Sequence, residues 1–389
     1  MSKTCFMLLL SYAAHLSVEA QSTAQLSPPG TNTPAASVAP AVIHRAANER
    51  VCGWIVSQTN AAGQTITVTN KAYVELATGL TRFSMESNGW VDAAPGIDLV
   101  ANGASTRGTS HGVTFTGDAA AATGAVTLTD PDGKQFVSSV YGLAYEDSAT
   151  GSNVLLGSLQ SSQGIVVGDT EVVYSNAFSG SVTADLEYFT KLAGLEQDVV
   201  LRTGLPSPDS FPGFKLNNHT TRLQVWTEFL SAPEPREQSW VSGGVQEDWL
   251  LDFGAMKMPV GEAFSTQPTQ GKPTLVGTVR TSKHWTTINS RTFLIEEIPY
   301  EAISNTVRQL PPHAANPTPG ADRVKNTASI LPLRPRALAP ITATGPMKVA
   351  KAAPSQPGFV IDYSLVGASA TNYVFQNDTT YRVCSTFCG

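Results

Sequence analysis

Charge is scarce in this chain. Asp, Glu, Lys and Arg make up 14% of its 389 residues, against about 25% in an ordinary soluble protein. The net charge is −6, so a nucleic-acid footprint, which needs clustered Lys and Arg, is not expected. Cysteine is scarcer still. Of the four, Cys5 lies in the N-terminal leader, leaving Cys52, Cys384 and Cys388. An odd number cannot all pair within one chain, so a disulfide scaffold is excluded and a hydrophobic core must do the stabilising. Hydrophobic content of 41% is enough for one. No segment after the leader reaches the ~20 uninterrupted apolar residues of a transmembrane helix, so the mature chain is not expected to span a membrane.

Motifs for chemistry are also missing. His44, His111, His219, His284 and His313 have no histidine partner at i+4, and no His-Glu-x-x-His occurs. There is no Gly-x-Ser-x-Gly nucleophile elbow and no phosphate-cradling glycine loop. No catalytic centre, metal site or cofactor is therefore expected.

Residues 1–20 read as an export signal. Lys3 supplies the positive start and Phe6–Leu10 opens an apolar run that continues weakly to Leu16. Val18-Glu19-Ala20 offers a cleavage site ahead of Gln21. The expected location is extracytoplasmic. Residues 21–48, rich in Pro, Ser, Thr and Ala, read as a disordered tail.

From residue 49 the pattern becomes β. Thr65-Ile66-Thr67-Val68-Thr69 alternates polar and apolar residues, and Leu223–Phe229 does the same. Turn signals separate many short segments. Asp130-Pro131-Asp132-Gly133 is the strongest, because Pro fixes φ and Gly accepts positive φ. Asp185–Phe189 and Leu195–Arg202 read as a hairpin. A short helix is expected over Glu301–Leu310, where Ile303, Val307 and Leu310 keep helical spacing. The fold class is mainly β, an antiparallel sandwich or super-sandwich. The β-rich region runs over 49–310, with 49–205 and 215–310 as candidate subdomains. A Pro/Ala-rich linker follows over 311–357, and a β-segment begins at 358–389 that looks truncated.

The motif set resembles the N-terminal region of large secreted bacterial proteins, some of which precede RHS/YD-repeat or wall-associated repeat regions. The residues that carry it include Tyr73–Leu80, Val173–Phe178, Gly194–Arg202, Thr220–Phe229, Leu251–Met256, Arg291–Glu297 and Gln356–Tyr363. The resemblance implies a secreted β-domain leading into a longer extracellular region, and brings no catalytic residues with it. The sequence departs from the pattern after Tyr381.

Three features are candidates for chemistry. Glu187, Glu196 and Asp198 meet on the expected hairpin and could imitate a glycosidase carboxylate pair. A polar hairpin face, ion-paired with Lys191 and Arg202, is the plainer reading. Trp240, expected in a Ser/Gly-rich loop, could stack on a sugar; packing is the alternative. Cys384 and Cys388 read as a local disulfide, as half of a zinc site, or as an incidental tail. The functional expectation is a structural or interaction module of an exported surface protein, with other surface components or glycans as partners. A carbohydrate-binding or carbohydrate-active protein, or the N-terminal part of a secreted toxin-delivery protein, are the alternatives.

Overall fold

A computed structural model describes residues 41–47, 49–59, 63, 65–75, 79–242, 245–269, 272–313, 329–331, 346–350 and 358–367. The leader, most of the tail, most of the linker, and Cys384 and Cys388 lie outside the described residues. Cys52 is half-buried and free. The chain divides into two compact units. The smaller includes Val51–Tyr73 and the larger includes His44–Arg50 and Val74–Val383.

Strands β1 (Ala41–Ala46), β2 (Glu49–Thr59) and β3 (Thr65–Glu75) form a sheet in that order. The expected tail thus gives way to strand by Ala41, because Ala41-Val42-Ile43 already supplies apolar, β-branched residues. Strands β4 (Thr81–Ser84) and β5 (Gly89–Asp92) make a hairpin. Then come β6 (Gly96–Val100), β7 (Gly103–Arg107), β8 (Gly112–Thr116), β9 (Val126–Thr129) and β10 (Gln135–Asp147). Next are β11 (Asn153–Ser158), β12 (Gly164–Val167), β13 (Glu171–Tyr174), β14 (Ala184–Thr190) and β15 (Gly194–Leu201). These are followed by β16 (Thr221–Ser231), β17 (Arg236–Ser242), β18 (Val245–Asp252) and β19 (Met256–Met258). The last group is β20 (Gly261–Thr269), β21 (Lys272–Ile288), β22 (Arg291–Pro299), helix α1 (Tyr300–Val307), β23 (Lys348–Ala350) and β24 (Gly358–Gly367).

The architecture is mainly β, as the alternation predicts. One ladder runs β6-β7-β8-β9-β10-β16-β22-β21. A second runs β23-β12-β13-β14-β15-β24-β20-β21. Among the described pairings only β12 with β23 is parallel. Strand β21 belongs to both ladders. It pairs with β20 up to Thr281 and with β22 from Ser282 onward. The pairings close on themselves in the manner of a barrel, rather than forming two clearly separate layers.

Strand pairing crosses two of the expected domain boundaries. Of the segment 358–389, the described residues 358–367 form a single strand. That strand, β24, lies in mid-ladder, bonded to β15 on one side and β20 on the other. Its buried residues explain the position: Phe359, Ile361, Tyr363 and Leu365 all join the main core, and an alternating strand with one apolar face is stable only against such a core. The stretches 49–205 and 215–310 are also joined, since β10 pairs with β16 from Val137 to Asp147 and β24 ties β15 to β20.

The expected linker also contributes structure. Ile330 is buried with Ala144, Trp226, Phe293 and Ile295 in a second apolar cluster. The Asn153 side-chain oxygen holds that segment, accepting the Ile330 N–H at 2.8 Å and the Ser329 hydroxyl at 2.6 Å. Burying an isoleucine stabilises by roughly 1.5–3 kcal/mol. Met347 joins the main core beside β12.

Local signals behaved as their chemistry requires. Asp130 Oδ1 accepts the backbone N–H groups of Asp132 and Lys134, at 2.9 and 2.8 Å, closing the β9–β10 turn with Gly133 at φ 83°. Helix α1 buries Tyr300, Ile303 and Val307 on one face.

Candidate functional site

Strand pairing brings the acidic residues together. Glu187 on β14 lies directly opposite Asp198 on β15. Asp198 lies opposite Asp362 on β24, and Asp362 opposite Glu262 on β20. Directly opposed residues share a face, so four carboxyl groups form one row across four strands. The other face of the same strands carries Leu186, Val199, Ile361 and Ala263, all in the core. Gly194 lets β15 and β24 approach at the hairpin end, since a Cβ there would run into the Leu365 carbonyl.

Cations sit at the margins of the row. The Arg202 guanidinium donates to Asp185 at 2.7 Å and to Glu187 at 2.6 Å. Lys191 reaches Glu196 at 3.3 Å from a half-exposed position. Ion pairing with these two cations, the plainer reading of the hairpin, is thus what the geometry displays. The middle of the row makes no such ion pair among the described residues, although the charge of Lys191 still favours its ionised forms. Asp198 is 6% exposed, and its Oδ1 is buried without a hydrogen-bond partner among the described residues. Asp362 accepts only the Glu262 N–H there, at 2.9 Å.

The titration follows. Burial pushes Glu187 up to about 7 against the pull of Arg202, with Glu171 and Asp185 adding to the rise. Burial, then the charge of Glu196, pushes Asp362 up to about 7. Burial raises Asp198 well above the carboxylate range, and Glu196, Asp362 and Glu187 add to it. The centre of the row therefore holds protons near neutrality.

Oxygen atoms of Glu196, Asp198 and Asp362 lie within 4.8 Å of one another. They are of the hard-donor type that calcium takes, but supply three of the roughly six to eight oxygens it requires. No cleft among the described residues opens onto them, whereas a glycosidase pair must flank a bound sugar. A cleft of about 450 Å³ lies elsewhere, lined by Gly204, Leu205, Pro206, Arg308, Leu310 and His313 among others, and no carboxylate lines it.

A second cluster escaped the sequence reading. Lys283 on β21 and Asp248 on β18 form an ion pair in which each side chain is 1% exposed. Asp248 Oδ1 also accepts the Lys283 N–H at 2.8 Å. Glu296 on β22 stands opposite Lys283 in the strand register and is 2% exposed. The available signal was phase. In Phe293-Leu294-Ile295-Glu296-Glu297-Ile298, Glu296 alternates with Leu294 and Ile298, which are core residues. Its neighbour Glu297 points the other way and is held low, at about 2, against its own burial by bonds from His284, Arg222 and Gln224.

Other expected residues are placed as follows. Trp240 lies in strand β17 opposite Asp248, not in a loop, and its side chain is outside the described residues. Trp226 is buried and donates to Gln224 at 2.8 Å. Trp285 packs against Phe229 and Phe253. His111 is buried, where its ring Nε2 meets the Gly194 carbonyl at 3.2 Å. His219 and His284 pair with Glu301 and Glu297 respectively. No helix among the described residues is long and apolar enough to cross a membrane.

No protein-family model, curated protein or solved structure matches this chain.

Proposed function

We propose that the chain is an exported, extracytoplasmic β-module with a structural or interaction role at the cell surface. The observation that carries this reading is the place of the acidic row. Its carboxyls are cross-strand pairs inside a continuous ladder, with Asp198 buried, while the described cleft is lined without them. A glycosidase needs the opposite arrangement, two separated carboxyls opening onto a cleft. Within this reading the two ladders act as the layers of a super-sandwich joined at β21. The leader over residues 1–20 and the resemblance to secreted bacterial proteins support export.

Two measurements test it. Fractionation of a secreting bacterial host should find the chain outside the cytoplasm with Gln21 at its N-terminus. A glycan array and a reducing-end assay on the full chain should show neither binding nor hydrolysis. Hydrolysis that disappears in both Glu196→Gln and Asp198→Asn would overturn the reading in favour of a carbohydrate-active protein.

A further inference from the structure

Lys283, Asp248 and Glu296 form a buried triad on three strands. The Lys283 ammonium contacts Asp248 Oδ2 inside the fold, with both side chains 1% exposed. Glu296 stands across the β21–β22 pairing, flanked on its own face by Leu294 and Ile298. Trp285, two residues on from Lys283, continues that apolar face against Phe253. Among the described residues Glu296 Oε1 is buried with no hydrogen-bond partner. Here an amine and a carboxyl are held in contact, away from water, beside a second carboxyl with an uncommitted oxygen.

We propose that Lys283 and Asp248 condense to an intramolecular amide cross-link, with Glu296 as the proton relay. This does not depend on the surface-module reading.

The chemistry balances within the triad. A proton passes from the Lys283 ammonium to the Asp248 carboxylate, giving a neutral amine and a carboxylic acid. The Nζ lone pair attacks Asp248 Cγ and an N–C bond forms. Glu296 donates its proton to the hydroxyl on Cγ, that C–O bond breaks, and water leaves. Glu296 then takes the surplus proton from nitrogen and is restored. The products are one amide and one water, and no oxidant or outside reactant is needed.

The site favours each step. Burial lowers the Lys283 amine from its ordinary value, against the pull of Asp248 and Glu296. Burial, with the charge of Asp362, pushes Glu296 up to about 8, so it carries the proton the step requires. Reacting groups held in contact gain effective molarities that reach ~10⁵–10⁸ M in well-oriented intramolecular systems. Contact therefore lowers the barrier to condensation, and a site closed to water opposes the reverse hydrolysis. A buried ion pair also carries a desolvation penalty that a neutral amide escapes. The link would join β18 to β21 across 35 residues, in a chain too poor in cysteine to do so by disulfides.

The test is the mass of the full chain, purified under denaturing, reducing conditions and referred to its sequenced N-terminus. The expected mass is about 18 Da below the sequence value, one water lost. Tandem mass spectrometry of a digest should identify a branched peptide joining Lys283 to Asp248. Glu296→Gln and Lys283→Arg should restore the full mass. In Asp248→Asn, condensation would release ammonia, a loss of about 17 Da, which a merely structural pair would not produce. A folded wild-type chain of full mass, with both peptides recovered unbranched, overturns the proposal, and this needs no variant to fold.

Discussion

Asp198 on β15 and Asp362 on β24 face each other across a strand pair, and both carboxyls are raised, mainly by burial, into the range where they hold a proton at neutral pH. Like charges directly opposed in a sheet repel, so this fold keeps a protonation cost at its centre, where β24 enters the ladder.

The sign of the pH dependence is set by that cost. A carboxyl raised on folding binds its proton more tightly in the native state, so the native state binds more protons and stability falls as pH rises. For Asp362 the window runs from about 4, its ordinary value, through about 7. Urea midpoints of the wild type should therefore drop across that interval. Asp198→Asn should flatten the drop and stabilise the fold at pH 8 by about 1 kcal/mol. A steeper decline in the variant would contradict the arrangement.

His111 works in the opposite direction. Burial depresses its imidazole to about 4, so it stays neutral and donates its Nε2 proton to the Gly194 carbonyl. The unfolded chain takes up that proton first, near 6.5. Stability contributed by the neutral ring is complete above that pH and is lost as pH falls through about 4, on the order of 2–3 kcal/mol over the window. An NMR titration should show the His111 ring resonances unmoved down to pH 5. Movement with a midpoint near 6.5 would mean the ring is solvated.

Removing β24 tests the topology. A chain stopped after residue 357 exposes the facing edges of β15 and β20 and leaves the core without Phe359, Ile361, Tyr363 and Leu365. The larger unit should lose cooperative unfolding and dispersed NMR resonances. Retention of both would show that the ladder closes without this strand.

Ile330 tests the docked part of the linker region. Ile330→Ala empties its site against Trp226 and Phe293 and should cost roughly 2–4 kcal/mol. Asn153→Ala removes the acceptor for Ser329 and Ile330. Limited proteolysis should cut near residue 330 faster in both variants; unchanged cutting would mean the segment is not held.

Much of the local structure was legible because it is encoded locally. Alternation in Leu223–Phe229 marks the strand now seen as β16, the Asp130–Gly133 turn closes the β9–β10 hairpin, and Ile303 and Val307 mark the buried face of α1. The hairpin that pairs Glu187 with Asp198 was also legible, since both of its strands are contiguous in the chain. The residues that complete each cluster were not. Asp362 joins the hairpin from more than 160 residues away in sequence, as does Ser364, which meets Glu196, and nothing in its own neighbourhood announces the partner. Lys283 and Glu296 stand in an ordinary hairpin whose register is readable, yet Asp248 reaches them from another strand.

The sequence by itself determined the β character and the places where the chain turns, because side-chain period and turn chemistry act over a few residues. It also determined which acids would lie in phase with the core. Tertiary structure alone decided that a late segment becomes a central strand, that a proline-rich stretch docks Ile330, and that one acid row and one Lys–Asp–Glu triad are assembled. Those outcomes depend on burying apolar faces contributed by segments far apart in the chain, a global optimum that no short window of sequence contains.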